Sequence, residues 1–286
     1  MDNQQKISAY RAQLSAYEFK RISRFIESNY GIKLPDHKRI MVQGRLHKRL
    51  IALNLNTFKQ YVGYLFSPEG SEKEIPQMVD LISTNKTDFF RESPHFKVLT
   101  EVVLEEYINT NSFSTFKVWS AGCSSGEEVY TIGMVINEFF EDHKGYRYKI
   151  LGSDISYKML KKAAEAIYDE KDVAIIPLYL KRKYLLKHKD KSIKKVRISP
   201  ELRSKVHYIR LNFMDERYDD IKQMYDVAFC RNVLIYFERD VQLQVIRKIL
   251  AKIKPGGYLF LGHSESINDM DLPVTKISPT VFKKDK

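Results

Sequence analysis

The feature of this 286-residue chain that most restricts its fold is the alternation of short β-rich runs with helical patterns after residue 112. Strands are predicted at 116–120, 148–152, 206–211, 226–230 and 257–261, with a last one in 279–283. Helices are predicted at 127–141, 156–166 and 239–254. Strands that alternate with helices in this way form parallel pairs with helical crossovers. The pattern therefore predicts an α/β fold with a doubly wound, mostly parallel sheet.

The first 80 residues are predicted to form a small all-helical domain, and residues 81–286 the α/β domain. Ser15-Ala-Tyr-Glu18 has the spacing of a capping box, and apolar residues then recur at helical intervals up to a predicted stop at Gly31. Further helices are predicted at 36–52, 57–65 and 71–82, with a break at Pro68-Glu-Gly70.

One basic segment interrupts the alternation. Residues 181–195 carry eight basic residues and a single acidic one, Asp190. We interpret the region from about 172 to 205 as an inserted subdomain with a small antiparallel β piece that ends in the run 195–198. A solvated charged loop is the alternative interpretation, because runs of like charge usually face water.

Composition restricts the class of protein. No apolar run approaches the roughly 18 residues that a membrane span needs, and the first residues lack the apolar core of a signal peptide. We therefore expect a cytoplasmic protein without membrane insertion, in which Cys123 and Cys230 are buried thiols. The net charge of +12 favours an acidic partner, which composition leaves open between nucleic acid, an anionic membrane surface and an acidic protein.

The run from Val118 to Glu128 takes the first strand through a glycine turn directly into a helix. Gly122 and Gly126 allow a ligand to approach the backbone, and the helix N-terminus offers N–H groups. Glu127 and Glu128, in the first helical turn, would repel a pyrophosphate and suit a ligand with a positive group, such as S-adenosylmethionine (SAM). Acidic residues at helix N-termini are also common partners of the helix dipole, so this motif alone leaves both interpretations open.

The next strands end in further polar residues. Asp154 follows the second strand, where doubly wound folds bind ribose hydroxyls, although it could equally cap the next helix. Asn212 and Phe213 follow the third strand and are candidates for contacts to an adenine edge and ring, or for a turn. Arg231 and Asn232 follow the fourth strand. They are candidates for ligand contacts, because ligands of open α/β sheets lie at the carboxyl ends of strands.

Together these motifs resemble those of the chemotaxis-receptor glutamate methyltransferases, the CheR family. The resemblance extends from about residue 15 to the C-terminus. It rests on the following runs, in this order: Thr84-Asn-x-Thr87-x-Phe-Phe-Arg91, Gly126-Glu-Glu128, Ser153-Asp-Ile155, Cys230-Arg-Asn-Val-x-Ile-Tyr-Phe237 and Gly262-His-Ser-Glu-Ser266.

The resemblance implies a Rossmann-like SAM-dependent methyltransferase domain and assigns roles to residues of this chain. Arg91 and Tyr236 would be catalytic, with Arg91 facing the methyl group region and Tyr236 near the acceptor. Phe89 and Phe90 would pack to fix the loop that carries Arg91. The implied cofactor contacts are Asn85, Thr87, Arg91, Glu128, Asp154, Asn212, Phe213, Arg231 and Asn232.

The implied reaction is methyl transfer from SAM to glutamate side chains of a chemotaxis receptor, by a monomer that needs no metal. The helix with Arg45, Lys48 and Arg49 is a candidate surface for receptor docking, with a solvated helix face as the alternative. Family members can dock a receptor peptide on an inserted piece that often has a glycine-containing turn, but residues 187–193 here lack glycine. The other function classes considered are a nucleic-acid methyltransferase, whose usual Asn-Pro-Pro-aromatic run is missing, and a non-catalytic SAM-binding adaptor.

Overall fold

The computed structural model describes residues 10–111 and 113–285, so the predicted helical character of residues 1–9 lies outside the described residues. The N-terminal part is helical up to residue 82, as predicted. Its helices are α1 (Ala16–Tyr30), α2 (Arg39–Ala52, preceded by the 3₁₀ turn Asp36–Lys38), α3 (Phe58–Leu65), α4 (Pro68–Lys73) and α5 (Ile75–Ile82).

Local signals account for the helix ends. The Ser15 side chain accepts the Glu18 N–H while the Glu18 carboxylate accepts the Ser15 N–H, which completes the predicted capping box. Gly31 ends α1 in a left-handed conformation with φ of 70°. Thr57 and Gln60 form a second capping box at the start of α3. Apolar side chains of these helices pack into one core that also includes Leu14.

The predicted break at Pro68-Glu-Gly70 is wrong, because these residues begin helix α4. Proline is well tolerated in the first turn of a helix, where its missing N–H would have no intrahelical acceptor. The Ser67 side chain caps this helix by accepting the Gly70 N–H at 3.1 Å. A Cβ on Gly70 would lie 1.9 Å from the carbonyl oxygen of Tyr64, so glycine is required by close packing and does not mark a turn.

Two of the three basic residues proposed for docking on α2 are used inside the protein. The Arg45 guanidinium donates to the carbonyl oxygens of residues 81–83, of which Ile82 is nearest at 2.7 Å. Arg49 forms a two-pronged pair with the buried Glu74 at 2.8 and 2.7 Å, and the Tyr61 hydroxyl donates to the same carboxylate. Only Lys48 of the three is exposed to solvent.

A helical segment that the sequence patterns did not predict precedes the sheet. It runs from α6 (Pro94–Val98) through the π-helical stretch Leu99–Leu104 into α7 (Glu105–Thr110). The strands are β1 (Thr115–Ala121), β2 (Arg147–Asp154), β3 (Ile167–Asp169), β4 (Leu185–Lys187), β5 (Lys195–Ile198), β6 (Val206–Arg210), β7 (Tyr225–Cys230), β8 (Ile253–Leu261), β9 (Val274–Ser278) and β10 (Val281–Lys284). The remaining helices are α8 (Glu127–Asp142), α9 (Tyr157–Glu165), α10 (Leu178–Tyr184), α11 (Pro200–Arg203) and α12 (Arg239–Leu250).

The main sheet has seven strands in the order β6-β2-β1-β7-β8-β10-β9. The first five strands in this order are parallel, and β10 pairs antiparallel with β8 and β9. This confirms the doubly wound, mostly parallel sheet. Strand order reverses between β1 and β7, and ligands of such sheets bind at this switch point beyond the carboxyl ends of the strands.

Alternate side chains of each strand enter two different cores. Trp119 and Ala228 face α12 on one side of the sheet, and Val118 and Val227 face α8 and the 94–110 helical segment on the other. The predicted helix 239–254 was too long: α12 ends at Leu250, and residues 253–254 belong to β8. A proline disfavours helical geometry in the residue that precedes it, and Pro255 directly follows Lys254.

The inserted region contains a three-stranded antiparallel sheet in the order β3-β5-β4. Its first strand begins at Ile167, upstream of the expected start near 172. The glycine-free turn after β4 is closed by Asp190, whose carboxylate accepts the N–H and the hydroxyl of Ser192 at 2.8 and 2.7 Å. Aspartate closes turns in this way without the backbone freedom of glycine.

Two further expectations concern the state of the cysteines and the presence of membrane-spanning helices. Cys123 and Cys230 are both buried free thiols, as expected. Among the residues that the structure describes, no helix combines the length and apolarity required to cross a membrane.

The Glu74 carboxylate is expected to be essential for the stability of the helical part. Glu74→Gln removes the charge that pairs with Arg49, and breaking a buried ion pair from one side typically costs about 3 kcal/mol. We expect a loss of this size in the free energy of unfolding, measured by urea denaturation. Glu69→Gln is the matched control, because its pair with Lys73 is exposed and contributes little. Equal stability of the two variants would contradict the assignment.

Candidate functional site

A cavity of about 300 Å³ lies where the helical N-terminal part meets the carboxyl ends of β1, β2, β6 and β7. Helix α1 and the chain just after it contribute Tyr30, Ile32 and Leu34 to the wall, and the segment between α5 and α6 contributes most of residues 82–91. All ten residues selected from the sequence line this cavity: Asn85, Thr87, Arg91, Glu128, Asp154, Asn212, Phe213, Arg231, Asn232 and Tyr236.

The turn after β1 requires special backbone geometry. Gly122 has φ of 86°, and a Cβ there would lie 2.4 Å from the Val233 side chain. Ser124 adopts a left-handed conformation with φ of 48°, and its N–H donates to Asp154 Oδ2 at 2.8 Å. The Ser124 hydroxyl donates to the backbone carbonyl of Asn85 at 2.8 Å. The turn therefore connects the sheet to the segment that closes the cavity.

Asp154 is held at the end of β2 by two backbone N–H groups. Its Oδ1 accepts from Ser156 at 2.9 Å, and its Oδ2 accepts from Ser124. Burial raises the pKa of this carboxyl, and the two hydrogen bonds oppose that effect. Because a carboxylate has about four lone-pair sites, Asp154 can bridge the two turns and still accept hydrogen bonds from a ligand.

Arg231 lies between two carboxylates at the end of β7. Its Nη1 donates to Glu128 Oε2 at 3.0 Å and its Nη2 to Glu92 Oε2 at 3.1 Å, while Nη2 also bonds the Arg91 carbonyl oxygen. The side chain is only 2% exposed. Glu128 accepts a further bond from Ser120 at 2.7 Å. Both Arg231 and Glu128 therefore face the cavity while already paired.

Glu92, which pairs with Arg231 beside the cavity, is a supporting residue that the sequence interpretation missed. Its Oε1 accepts from the Asn232 side chain at 3.3 Å and from the His263 N–H at 3.4 Å. Burial alone would raise the pKa of this carboxyl, but the Arg231 guanidinium and the hydrogen bonds outweigh it and hold the pKa below its usual value. Glu92 directly follows Arg91, the last residue of the first motif, and this position was the available signal.

The backbone around Arg91 is strained. Phe90 and Glu92 both have φ of 54°, a left-handed conformation that non-glycine residues rarely adopt. Phe89 is fully buried against Tyr168, and Phe90 packs on the ring of Phe96, so the aromatic pair fixes the loop. Strain of this kind persists where the surroundings overdetermine the conformation, and it concentrates at functional sites.

Side chains of this loop line the cavity, and two of them form hydrogen bonds to neighbouring residues of the same segment. Arg91 Nη1 donates to the Lys86 carbonyl oxygen at 3.1 Å, and the Asn85 amide donates to the Ser83 hydroxyl at 3.2 Å. Thr87 lines the cavity near them. Tyr236, on the 3₁₀ turn Leu234–Tyr236 after β7, lines the same cavity.

Asn212 and Phe213 lie beyond β6. The Asn212 side-chain NH₂ donates to the Asn29 carbonyl oxygen of α1 at 2.7 Å, and its oxygen accepts the Met214 N–H at 3.1 Å. The contact to Met214 gives Asn212 the turn role that the sequence left open. The contact to Asn29 joins the end of β6 to the helical part. Phe213 packs edge-on against Phe237.

Glu265 is a second missed residue. Its buried carboxylate accepts four backbone N–H groups: Asn232 at 2.9 Å, Val233 at 2.8 Å, Leu234 at 2.7 Å and Gly262 at 2.6 Å. Asn232 is left-handed with φ of 59°. The Glu265 side chain therefore shapes the loop that carries Arg231, Asn232 and Tyr236. The Gly262–Ser266 motif contained it, but only the folded loops reveal the four donors.

Comparison with known proteins gives a consistent result. The family model described as "CheR methyltransferase, SAM binding domain" matches residues 85–282, and "CheR methyltransferase, all-alpha domain" matches residues 17–83. The chain is similar to the chemotaxis protein methyltransferase of Borreliella burgdorferi, with 37% identity over 93% of this chain and 94% of that protein. The protein of the same description from Escherichia coli is 34% identical, over 96% and 93%.

The chain also aligns in part with a solved structure, the methyltransferase domain of bacterial CtHen1-C. The two are 16% identical, the alignment covers 58% of this chain and 64% of that chain, and the TM-score is 0.33.

The Glu265 carboxylate is expected to control the order of the loop after β7. Glu265→Gln replaces one acceptor oxygen by an NH₂ group that faces N–H donors, and unpaired buried donors cost about 1–3 kcal/mol each. We expect the free energy of unfolding to fall by at least about 2 kcal/mol and amide exchange at 232–234 to accelerate. Glu216→Gln, at an exposed position, is the control. Unchanged exchange rates at these amides would disprove the role.

Proposed function

The chain belongs to the CheR methyltransferase family, and we propose that it transfers the methyl group of SAM to glutamate side chains of a chemotaxis receptor. The products would be a glutamyl methyl ester and S-adenosylhomocysteine (SAH). The observation that carries the proposal is the convergence of the ten residues selected from the sequence, from distant parts of the chain, on one cavity. Two of them, Glu128 and Asp154, are acidic, which suits a ligand with an α-amino group and a sulfonium.

The residues at the strand ends fit such a ligand. The required glycine at position 122 removes a side chain that would fill the space beside Val233. Asp154 has lone pairs to accept ribose hydroxyls, as acids at this position of doubly wound folds do. Phe213 would flank the adenine ring, and Asn212 has a second amide hydrogen for the adenine edge. Glu128 would receive the α-amino group while keeping its pair with Arg231.

When bound, SAM supplies a methyl group on a positively charged sulfur. The acceptor glutamate needs no general base, because a carboxyl with a pKa near 4.3 is already ionised at neutral pH. The enzyme residues therefore have to align the two reactants, which can supply several kcal/mol of the barrier reduction. Arg91 would orient the incoming carboxylate through its planar guanidinium, and Tyr236 would donate a hydrogen bond to it.

The strained loop supports this role for Arg91. Its neighbours Phe90 and Glu92 hold the backbone in a conformation that costs energy, and its carbonyl oxygen is fixed by Arg231. Three residues, Phe90, Glu92 and Arg231, thus fix the position of the Arg91 backbone. Within residues 10–111 and 113–285 its guanidinium makes one hydrogen bond, to the Lys86 carbonyl oxygen, whereas the Arg231 guanidinium is paired with two carboxylates. Of the two arginines, Arg91 is therefore the one suited to bind a transient carboxylate.

Receptor docking would use the exposed face of α2. This helix belongs to the helical domain that we propose for residues 1–80. Lys48 and Arg39 are exposed on this helix, whereas Arg45 and Arg49 bind within the protein. Positive charge would attract the glutamate-bearing cytoplasmic helices of a receptor and lose effect with rising salt. We propose a cytoplasmic monomer as the working unit.

The reaction is tested with methyl-labelled SAM, purified full-length protein and a cytoplasmic receptor fragment. We expect base-labile label on the fragment, because esters of glutamate release methanol in alkali. A fragment with its acceptor glutamates changed to glutamine should accept no label. Label on RNA and none on the receptor would instead favour a nucleic-acid methyltransferase, and SAH binding without any transfer would favour an adaptor.

The Arg91 side chain is expected to affect transfer more than binding. Arg91→Ala should lower the rate of methyl transfer about 100-fold, because misalignment of reactants costs about this much, and change the Kd for SAH far less. Calorimetry with SAH and the filter assay measure the two effects. Arg217→Ala, at an exposed position, is the control. Equal losses in binding and transfer would assign Arg91 to the ligand alone.

A further inference from the structure

Behind the wall formed by Arg231 lies a second group of side chains that the proposed reaction does not use. Glu92, His95 and His263 each offer one ligand atom, and these three atoms lie within 4.8 Å of one another. His95 Nδ1 is 3.6 Å and His263 Nε2 is 4.0 Å from Glu92 Oε2. We propose that these three residues form a binding site for a zinc-class divalent transition-metal ion, in contrast to the sequence-based expectation of no metal.

The strongest support is a buried nitrogen without a hydrogen-bond partner. Among the described residues, three buried side-chain polar atoms make no hydrogen bond, and His95 Nδ1 is one of them. The residue is 3% exposed, and the nitrogen faces Glu92 Oε2 beyond hydrogen-bond distance. A buried polar atom without a partner requires an explanation, and a bound ion is one of the established ones.

The second ring nitrogen of His95 is fixed from behind. Its Nε2 is 2.6 Å from the Thr280 hydroxyl, in the turn before β10. Histidines that bind metals are usually held by a hydrogen bond through the other ring nitrogen, which sets the ring orientation and the tautomer. In the tautomer that carries its proton on Nε2 and donates it to Thr280, the lone pair of Nδ1 points towards Glu92.

The ligand types and spacing suit zinc. Two histidines and a glutamate form a known three-ligand set, with water in the fourth position. Zinc holds such ligands at about 2.0–2.2 Å, which places tetrahedral ligand atoms about 3.4 Å apart. The observed separations of 3.6 and 4.0 Å, and a third that lies within 4.8 Å, therefore need side-chain movements of about 1 Å. His263 is 56% exposed and provides the route of entry from solvent.

The local charge also favours a cation. Three carboxylates, of Glu92, Glu128 and Glu265, surround the Arg231–Asn232 segment; the Arg231 guanidinium pairs with Glu92 and Glu128, whereas Glu265 accepts backbone N–H groups. Glu92 Oε2 accepts from Arg231 on one side and faces both histidines on the other. An ion there would tie the Arg91 loop to the loop after β8 and to the turn before β10.

The test uses the full-length, tag-free protein, stripped with chelator, and Zn²⁺ or Co²⁺ as the probe. We expect one ion per chain, a dissociation constant on the order of micromolar, a Co²⁺ visible spectrum typical of nitrogen and oxygen ligands, and a raised melting temperature. His263→Ala should weaken the affinity at least about tenfold without unfolding the protein, because this side chain is largely exposed. His95→Gln is the second variant.

His37→Ala is the matched control, because this exposed histidine lies outside the cluster, on the turn before α2. Its affinity should equal that of the wild type. Absence of one-to-one binding by the wild type, or wild-type affinity in the His263→Ala variant, would overturn the proposal and leave His95 and Glu92 as a structural pair. None of these readouts requires methyl transfer, so failure here and failure of the proposed reaction are distinguishable.

Discussion

The arrangement of the cavity depends on the Arg231 guanidinium, buried between the carboxylates of Glu92 and Glu128. An unpaired buried charge would cost several kcal/mol, so the three side chains have to assemble together. Through them the end of β7, the first turn of α8 and the segment before α6 are fixed to one another. A planar group with five donors in fixed directions can do this, whereas a lysine at position 231 would leave donors and acceptors misdirected.

Around this ion cluster the backbone is held by acids rather than by regular secondary structure. Asp154 joins the turns after β1 and β2, and Glu265 joins the loops after β7 and β8. Each carboxylate replaces the strand pairing that is lost where the chain leaves the sheet. Left-handed residues such as Ser124 and Asn232 are stable there because these contacts outweigh the local strain.

The sequence was sufficient where a local rule decides the structure. Capping at Ser15, the stop at Gly31 and the alternation of strands and helices all predicted elements that are present. Strand ends of one sheet necessarily lie together, which placed the polar residues after the strands at one edge, whereas Asn85, Thr87 and Arg91 were assigned only through the family resemblance. Long-range packing decided the rest. The helical segment 94–110 begins at a proline and contains a π-helical stretch, so its period departs from 3.6 residues. The roles of Glu92 and Glu265 depend on partners that only the folded loops provide, and the inward paths of Arg45 and Arg49 depend on how α2 packs on α5.

The pairing of Glu92 with Arg231, 139 residues further along the chain, has a consequence for biosynthesis. During translation the N-terminal helices and the first strands leave the ribosome long before Arg231 exists, and Glu265 follows later still. Domains fold as such segments emerge, but non-local contacts have to wait for their distant partner. A nascent chain therefore carries Glu92 and Glu128 without their guanidinium partner until β7 has been synthesised.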